Sequence, residues 1–137
     1  MNGIELILAD HERVNDLFDG FEATADATVI GQIVDALTAH DDAEHAALYP
    51  LVGVVLGDEK LIARSARAHS KVKKLIEHLS ALEGAPLTDA IAALRAAVTD
   101  HVADEERNLL PRLAKKATPE QLDGLAARIE QVKQRVG

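Results

Sequence analysis

Six residues able to bind metal, His11, His40, Glu44, His69, His101 and Glu105, occupy positions where a helix would otherwise place apolar side chains. Around His11 the chain reads DHERVNDLF and around His69 it reads AHSKVKKLI, so each histidine precedes a Val at +3 and apolar residues at +6 and +7. Around His40 it reads HDDAEHAALYPLV and around His101 HVADEERNLLPRL, each an HxxxE followed by a proline six residues after the glutamate. The offset is 58 residues from His11 to His69 and 61 from His40 to His101, the near-constant shift of two equivalent hairpins.

The six residues interrupt apolar stripes. His11 continues Ile7, Val14 and Phe18; His40 and Glu44 continue Ile33, Leu37 and Leu48; His69 lies between Ile62 and Val72; His101 and Glu105 lie among Leu94, Val98 and Leu109. A carboxylate buried without a partner is costly, and two of them repel each other. No Lys or Arg recurs on these faces, so the missing positive charge is expected to be a metal pair. In HxxxE the two side chains sit one turn apart on one face, so each motif can give an imidazole to one ion and a carboxylate shared between ions.

The elements that must carry these residues follow from composition and spacing. The chain has 137 residues, 47% hydrophobic and 2% aromatic, with Ala and Leu dominant, which suits helix packing and starves a β-sandwich. An all-α single domain over 1–137 is expected: a four-helix bundle over about 3–114 and a short extra helix over about 119–135. The first helix is expected from Gly3 to Asp19, with Gly20 as its stop, and the second from near Thr28, with a kink at Pro50 before Gly53 and Gly57. The third opens at Asp58 and ends at Gly84; the fourth runs from about 86–88 to Pro111 or slightly beyond. Thr118, Pro119 and Gln121 supply the last helix with an N-cap, a proline at its first position and a capping-box partner. Short connections imply up-down-up-down topology. Counted from these ends, His69 and His101 lie level, whereas His11 and His40 match less well, about 8 against 12 residues from their turn.

There is no Cys, so disulfides, iron-sulfur clusters and thiolate zinc sites are excluded and any metal must use imidazole and carboxylate. The net charge of -8 argues against a nucleic-acid partner, with Lys71, Lys73 and Lys74 forming only a short basic cluster. Charged residues from Glu5 to Asp16 break up any signal-like stretch, and the apolar run 51–56 is too short to span a bilayer. A soluble, cytoplasmic protein without a membrane partner is expected.

The pattern His, HxxxE, His, HxxxE on four successive helices resembles the haemerythrin-like (HHE) family. The resemblance implies two iron ions with an oxo or hydroxo bridge, His11 and His40 belonging to one helix pair, His69 and His101 to the other, and Glu44 and Glu105 bridging. Manganese or zinc would suit the same donors, so iron rests on the resemblance. Haemerythrin proper has a further histidine four residues after the third-helix ligand, where this chain has Lys73, which cannot ligate when protonated. Of about twelve positions around two six-coordinate irons, about two then stay open instead of about one. That favours reaction with hydrogen peroxide, dioxygen or nitric oxide, catalase-like disproportionation included. The alternatives are reversible dioxygen binding or sensing, or iron handling, whose cluster-repair branch is weakened by the lack of Cys.

His45 and Tyr49 are the candidates for the position left by Lys73. His45 is about 140° from His40 around the helix, so it lies behind the ligands or at the surface. Tyr49 is an ordinary core aromatic with a satisfied hydroxyl, unless the helix distortion at Pro50 turns that hydroxyl toward the irons. Asp41, Asp42, Asp104 and Glu106 are expected to be solvated, and His78 to face outward.

Overall fold

The computed structural model describes residues 1–136, and among them every regular element is helical. Helix α1 spans Gly3–Thr24 and α2 spans Ala27–Ala43; α2 continues through a π-helical turn at Glu44–Leu48 into α3 at Tyr49–Val55. Helix α4 spans Glu59–Leu79, and α5 spans Gly84–Asp104 before a second π turn, Glu105–Leu109, leads into α6 at Leu110–Lys116. Helix α7 spans Pro119–Val136. Helices α1 and α2 pack as one hairpin and α4 and α5 as the other, while α7 lies along α1, α2 and the first π turn. No described helix is long and apolar enough to cross a membrane.

The caps expected at Asp58 and Thr118 are present. The Asp58 carboxylate accepts from Leu61 N–H at 3.0 Å, and Thr118 and Gln121 exchange the two bonds of a capping box at 2.9 and 3.1 Å. Gly20, however, does not stop the first helix. Nothing at this position breaks the apolar stripe, Phe21 is buried, and α1 runs on to Thr24 before Ala25 ends it in a left-handed cap at φ 53°. The correction restores symmetry: thirteen residues separate His11 from the end of α1, and thirteen separate the start of α2 from His40. On the other hairpin the expected ends at Gly84 and 86–88 are also displaced, since α4 stops at Leu79 and α5 already begins at Gly84. There the arms to His69 and His101 are unequal, and the four residues Ser80–Glu83 can span the difference of about 10 Å.

Both π turns begin at a glutamate of HxxxE and end just before a proline-bearing turn. Pro50 and Pro111 have no N–H to give the carbonyl four residues back and would crowd it. The helix instead widens so that Tyr49 N–H bonds Glu44 C=O and Leu110 N–H bonds Glu105 C=O.

The core is stratified. One apolar cluster, with Leu48, Val52, Leu109, Leu113 and Ile129, fills the end near α7; a second, with Phe18, Ile33, Ile91 and Leu94, fills the opposite end. The polar residues interrupting the stripes form the layer between them. Helix α7 closes one side by burying Leu125, Ala126, Ile129 and Val132. It lies so close to α1 that a Cβ on Gly3 would fall 2.3 Å from the Leu125 side chain.

Candidate metal centre

The six residues named from the sequence converge in the polar layer, all of them buried, with Glu44 and Glu105 only 1% exposed. They form two groups, His11, His40, Glu44 and Glu105 on one side and Glu44, His69, His101 and Glu105 on the other. The two carboxylates are common to both. His11 Nε2 lies 3.1 Å from Glu105, His40 Nε2 3.1 Å from Glu44, His69 Nε2 2.9 Å from Glu44 and His101 Nε2 3.1 Å from Glu105. Ligands at right angles around an ion with bonds of about 2.1 Å stand about 3.0 Å apart, whereas the longer bonds of calcium would spread them to about 3.4 Å. The spacing therefore leaves room for a small metal ion on each side.

Both oxygens of Glu44 and Glu105, with the inward nitrogens of His11 and His40, are buried and lack an aligned hydrogen bond. Such orphans are rare in native interiors unless something else satisfies them, and two cations would do so at once. Protons partly fill that role without metal. Burial opposes a charge on His40, but Glu44 and the hydrogen bond with Asp10 outweigh it and push the imidazole up to about 10. Burial also opposes a charge on His101, yet the carboxylates of Glu105 at 3.1 Å and Glu44 at 3.6 Å outweigh it and raise it to about 9. The same neighbours act on the carboxyl of Glu44: burial alone would raise it, and His40 above all holds it well below the usual range. His69, buried beside a cationic His101, is pushed down to about 3.

Three carboxylates that the sequence reading set aside or passed over hold the outer nitrogens of these histidines. Asp10 accepts from His40 Nδ1 at 3.1 Å and is itself clasped by Lys133 of α7. Glu106 accepts from His11 Nδ1 at 2.7 Å, and Asp41 touches His69 Nδ1. Asp41 and Glu106 are thus not simply solvated, and Asp104 is bonded to Arg64 at 2.8 and 2.9 Å; Asp42 and His78 are exposed as expected. An available signal was overlooked, because a ligating imidazole needs a partner on its other nitrogen and acids flank the ligands in the sequence.

Tyr49 combines its two readings. Its ring is buried, 5% exposed, in the cluster near α7, and its hydroxyl sits 2.9 Å from the inward nitrogen of His69. Burial first, then the charges of Glu44 and Glu105, hold that hydroxyl firmly protonated. His45 stays at the rim, with its ring 5.1 Å from that of His69 and its Nε2 3.3 Å from Asp41. Asp41, His45 and His69 also lie close enough to be a metal-sized group, but the contact of Asp41 with His69 repeats the carboxylate-on-Nδ1 arrangement of the other two histidines. Lys73 is exposed and borders a cavity of about 250 Å³ between α2 and α4, whose walls are Leu37, Val72, Ile76 and Val98 and whose inner end is formed by the histidines.

A family model described as Hemerythrin HHE cation binding domain matches residues 2–134. A curated protein of Nostoc sp. strain PCC 7120, described as a DNA nickase, is 32% identical over 142 residues. The matched stretch takes in 99% of this chain but only 40% of that protein, so the chain spans well under half of its relative's length. A solved structure of a Hemerythrin HHE cation binding domain-containing protein from Mycobacterium kansasii has a TM-score of 0.85 at 21% identity, covering 98% of this chain and 89% of that one. That likeness is one of fold.

Proposed function

From the premise that the chain belongs to the haemerythrin HHE cation-binding family, we propose that its core holds two iron ions and reacts with hydrogen peroxide, dioxygen or nitric oxide, disproportionating peroxide to dioxygen and water. The observation that carries the reading is the pair of four-residue groups sharing Glu44 and Glu105 inside an apolar shell. His11 and His40 would hold one ion, His69 and His101 the other, and the two glutamates both. Two irons held there would supply paired one-electron changes, by which two molecules of hydrogen peroxide would become one dioxygen and two waters without an outside reductant.

The chain's own contribution is placement, access and a hydrogen-bond donor. Apolar clusters close the layer above and below, and the cavity beside Lys73 gives access to it and is wide enough for a molecule of two to four atoms. The Tyr49 hydroxyl, 2.9 Å from His69 Nε2 and held protonated, can donate a hydrogen bond to an oxygen arriving there. The absence of a histidine at Lys73 leaves room on the His69 side, which favours turnover over plain reversible oxygen carriage.

The nicking activity in the Nostoc relative's name is not carried over. All six donors are at most 8% exposed, too deep for a phosphodiester backbone, and the charge of -8 repels one.

Iron-loaded protein challenged with peroxide tests the reading. Dioxygen release and a change in the visible spectrum are expected. An inert spectrum without gas release would overturn it, and an oxygen adduct that reverses on degassing would replace turnover with binding.

A further inference from the structure

The outer partners of the histidines follow a rule with one gap. Asp10 precedes His11 on α1 but holds His40 on α2; Asp41 follows His40 on α2 but reaches His69 on α4; Glu106 follows Glu105 on the α5 side but holds His11 on α1. Each acid is thus next in sequence to one metal-facing residue and serves a histidine on another helix. The ring around the bundle would close with one more contact, from α4 to His101 on α5. The internal repeat names the residue that would make it. His69 corresponds to His11 and His101 to His40, so the counterpart of Asp10 is Ala68, whose methyl group can accept nothing. Correspondingly, His101 Nδ1 is buried with no hydrogen-bond partner among the described residues, whereas His69 Nδ1, which also lacks an aligned hydrogen bond, is at least touched by the Asp41 carboxylate.

We propose that Ala68 makes His101 the loosely held ligand, so that the metal ion between His69 and His101 exchanges first while the ion between His11 and His40 is retained. An outer carboxylate fixes the ring and makes its inner nitrogen a better donor, and losing one weakens metal binding about 10- to 100-fold. His11 and His40 both have such partners, and that of His40 is backed by Lys133. Ala68 and Asp10 are positioning residues here, acting on the metal through His101 and His40. The inference rests on the two-ion reading above.

Protein loaded anaerobically with iron(II), assayed for metal content and then mixed with excess ferrozine, separates the two ideas. Two irons per chain leaving in two phases of equal amplitude are expected, with rates about 10- to 100-fold apart. Ala68→Asp should slow the fast phase alone, and Asp10→Asn should speed the slow phase alone, with helicity unchanged by circular dichroism. If Ala68→Asp does not fold, Ala68→Asn supplies an acceptor without a charge and should act in the same direction. Uptake of fewer than two irons would overturn the two-ion reading and this inference with it. Two irons leaving in a single phase, or a fast phase indifferent to a folded acceptor at 68, would overturn this inference alone.

Discussion

Lys133, near the end of the last helix, clasps Asp10, the carboxylate that holds the outer nitrogen of His40. A helix outside the four-helix bundle therefore reaches the buried polar layer through two side chains. Lys133→Ala should leave the melting temperature nearly unchanged, because a part-exposed ion pair contributes about 1 kcal/mol or less. Iron retention against a chelator should nevertheless fall, by several-fold and toward the 10-fold loss typical of a missing outer partner. Equal retention in the two proteins would confine α7 to a packing role.

Glu44 belongs to both four-residue groups and His101 to one. His101→Ala is expected to leave one iron per chain, whereas Glu44→Ala should reduce occupancy of both positions, read directly by metal analysis. In the metal-free protein Glu44→Gln should also destabilise, by about 3 kcal/mol, because the charged imidazole of His40 loses its buried counterion and that of His101 the more distant of its two. Denaturant unfolding at neutral pH measures that loss.

Tyr49→Phe removes one oxygen without changing the packing of the ring. Metal content should stay at two irons, while the peroxide reaction slows by at least about tenfold as that hydrogen-bond donor is lost. An unaltered rate would return Tyr49 to the role of a core aromatic.

The decline in stability above pH 6.5 should disappear when metal binds. In the metal-free protein His40, at about 10, and His101, at about 9, lie above their unfolded value of 6.5. Their contribution is complete below pH 6.5 and is lost as the pH rises through 9 to 10. His69, depressed to about 3, acts oppositely: its contribution is present above 6.5 and is lost as the pH falls toward 3. Glu44, also depressed, adds to the loss once the pH drops below 4.5. The metal-free melting temperature should therefore peak near pH 6.5. Iron must displace the protons of His40 and His101, so its affinity should climb with pH below about 9, by about tenfold per pH unit for each proton released. Thermal melts with and without iron between pH 5 and 9 would show the two curves diverging as the pH rises; parallel curves would contradict this.

Much of this protein was readable before any fold was known, because its signals are local and periodic. The 3.6-residue recurrence of Ile7, His11, Val14 and Phe18 marks a buried face, and a polar residue on such a face is costly wherever the helix goes. Repeating that anomaly at His69, and the HxxxE at His101, marked the six residues that meet in the polar layer and the two hairpins. Capping is local too, so Asp58 and Thr118 were legible. Gly20 misled because glycine only permits a helix end; packing of Phe21 against the core decides whether the chain takes it.

Only the tertiary structure decided which acids serve which histidines. Asp10, Asp41 and Glu106 each look like solvated neighbours of a ligand along their own helix, and their partners lie on other helices. Hydrophobic spacing says which face turns inward, but not the rotation of one helix against the next to within the 3 Å that a hydrogen bond requires. The same holds for the Tyr49 hydroxyl, whose aim depends on the widened turn before Pro50. Side-chain periodicity thus selected the residues that meet in the core, and the relative setting of the packed helices determined their partners.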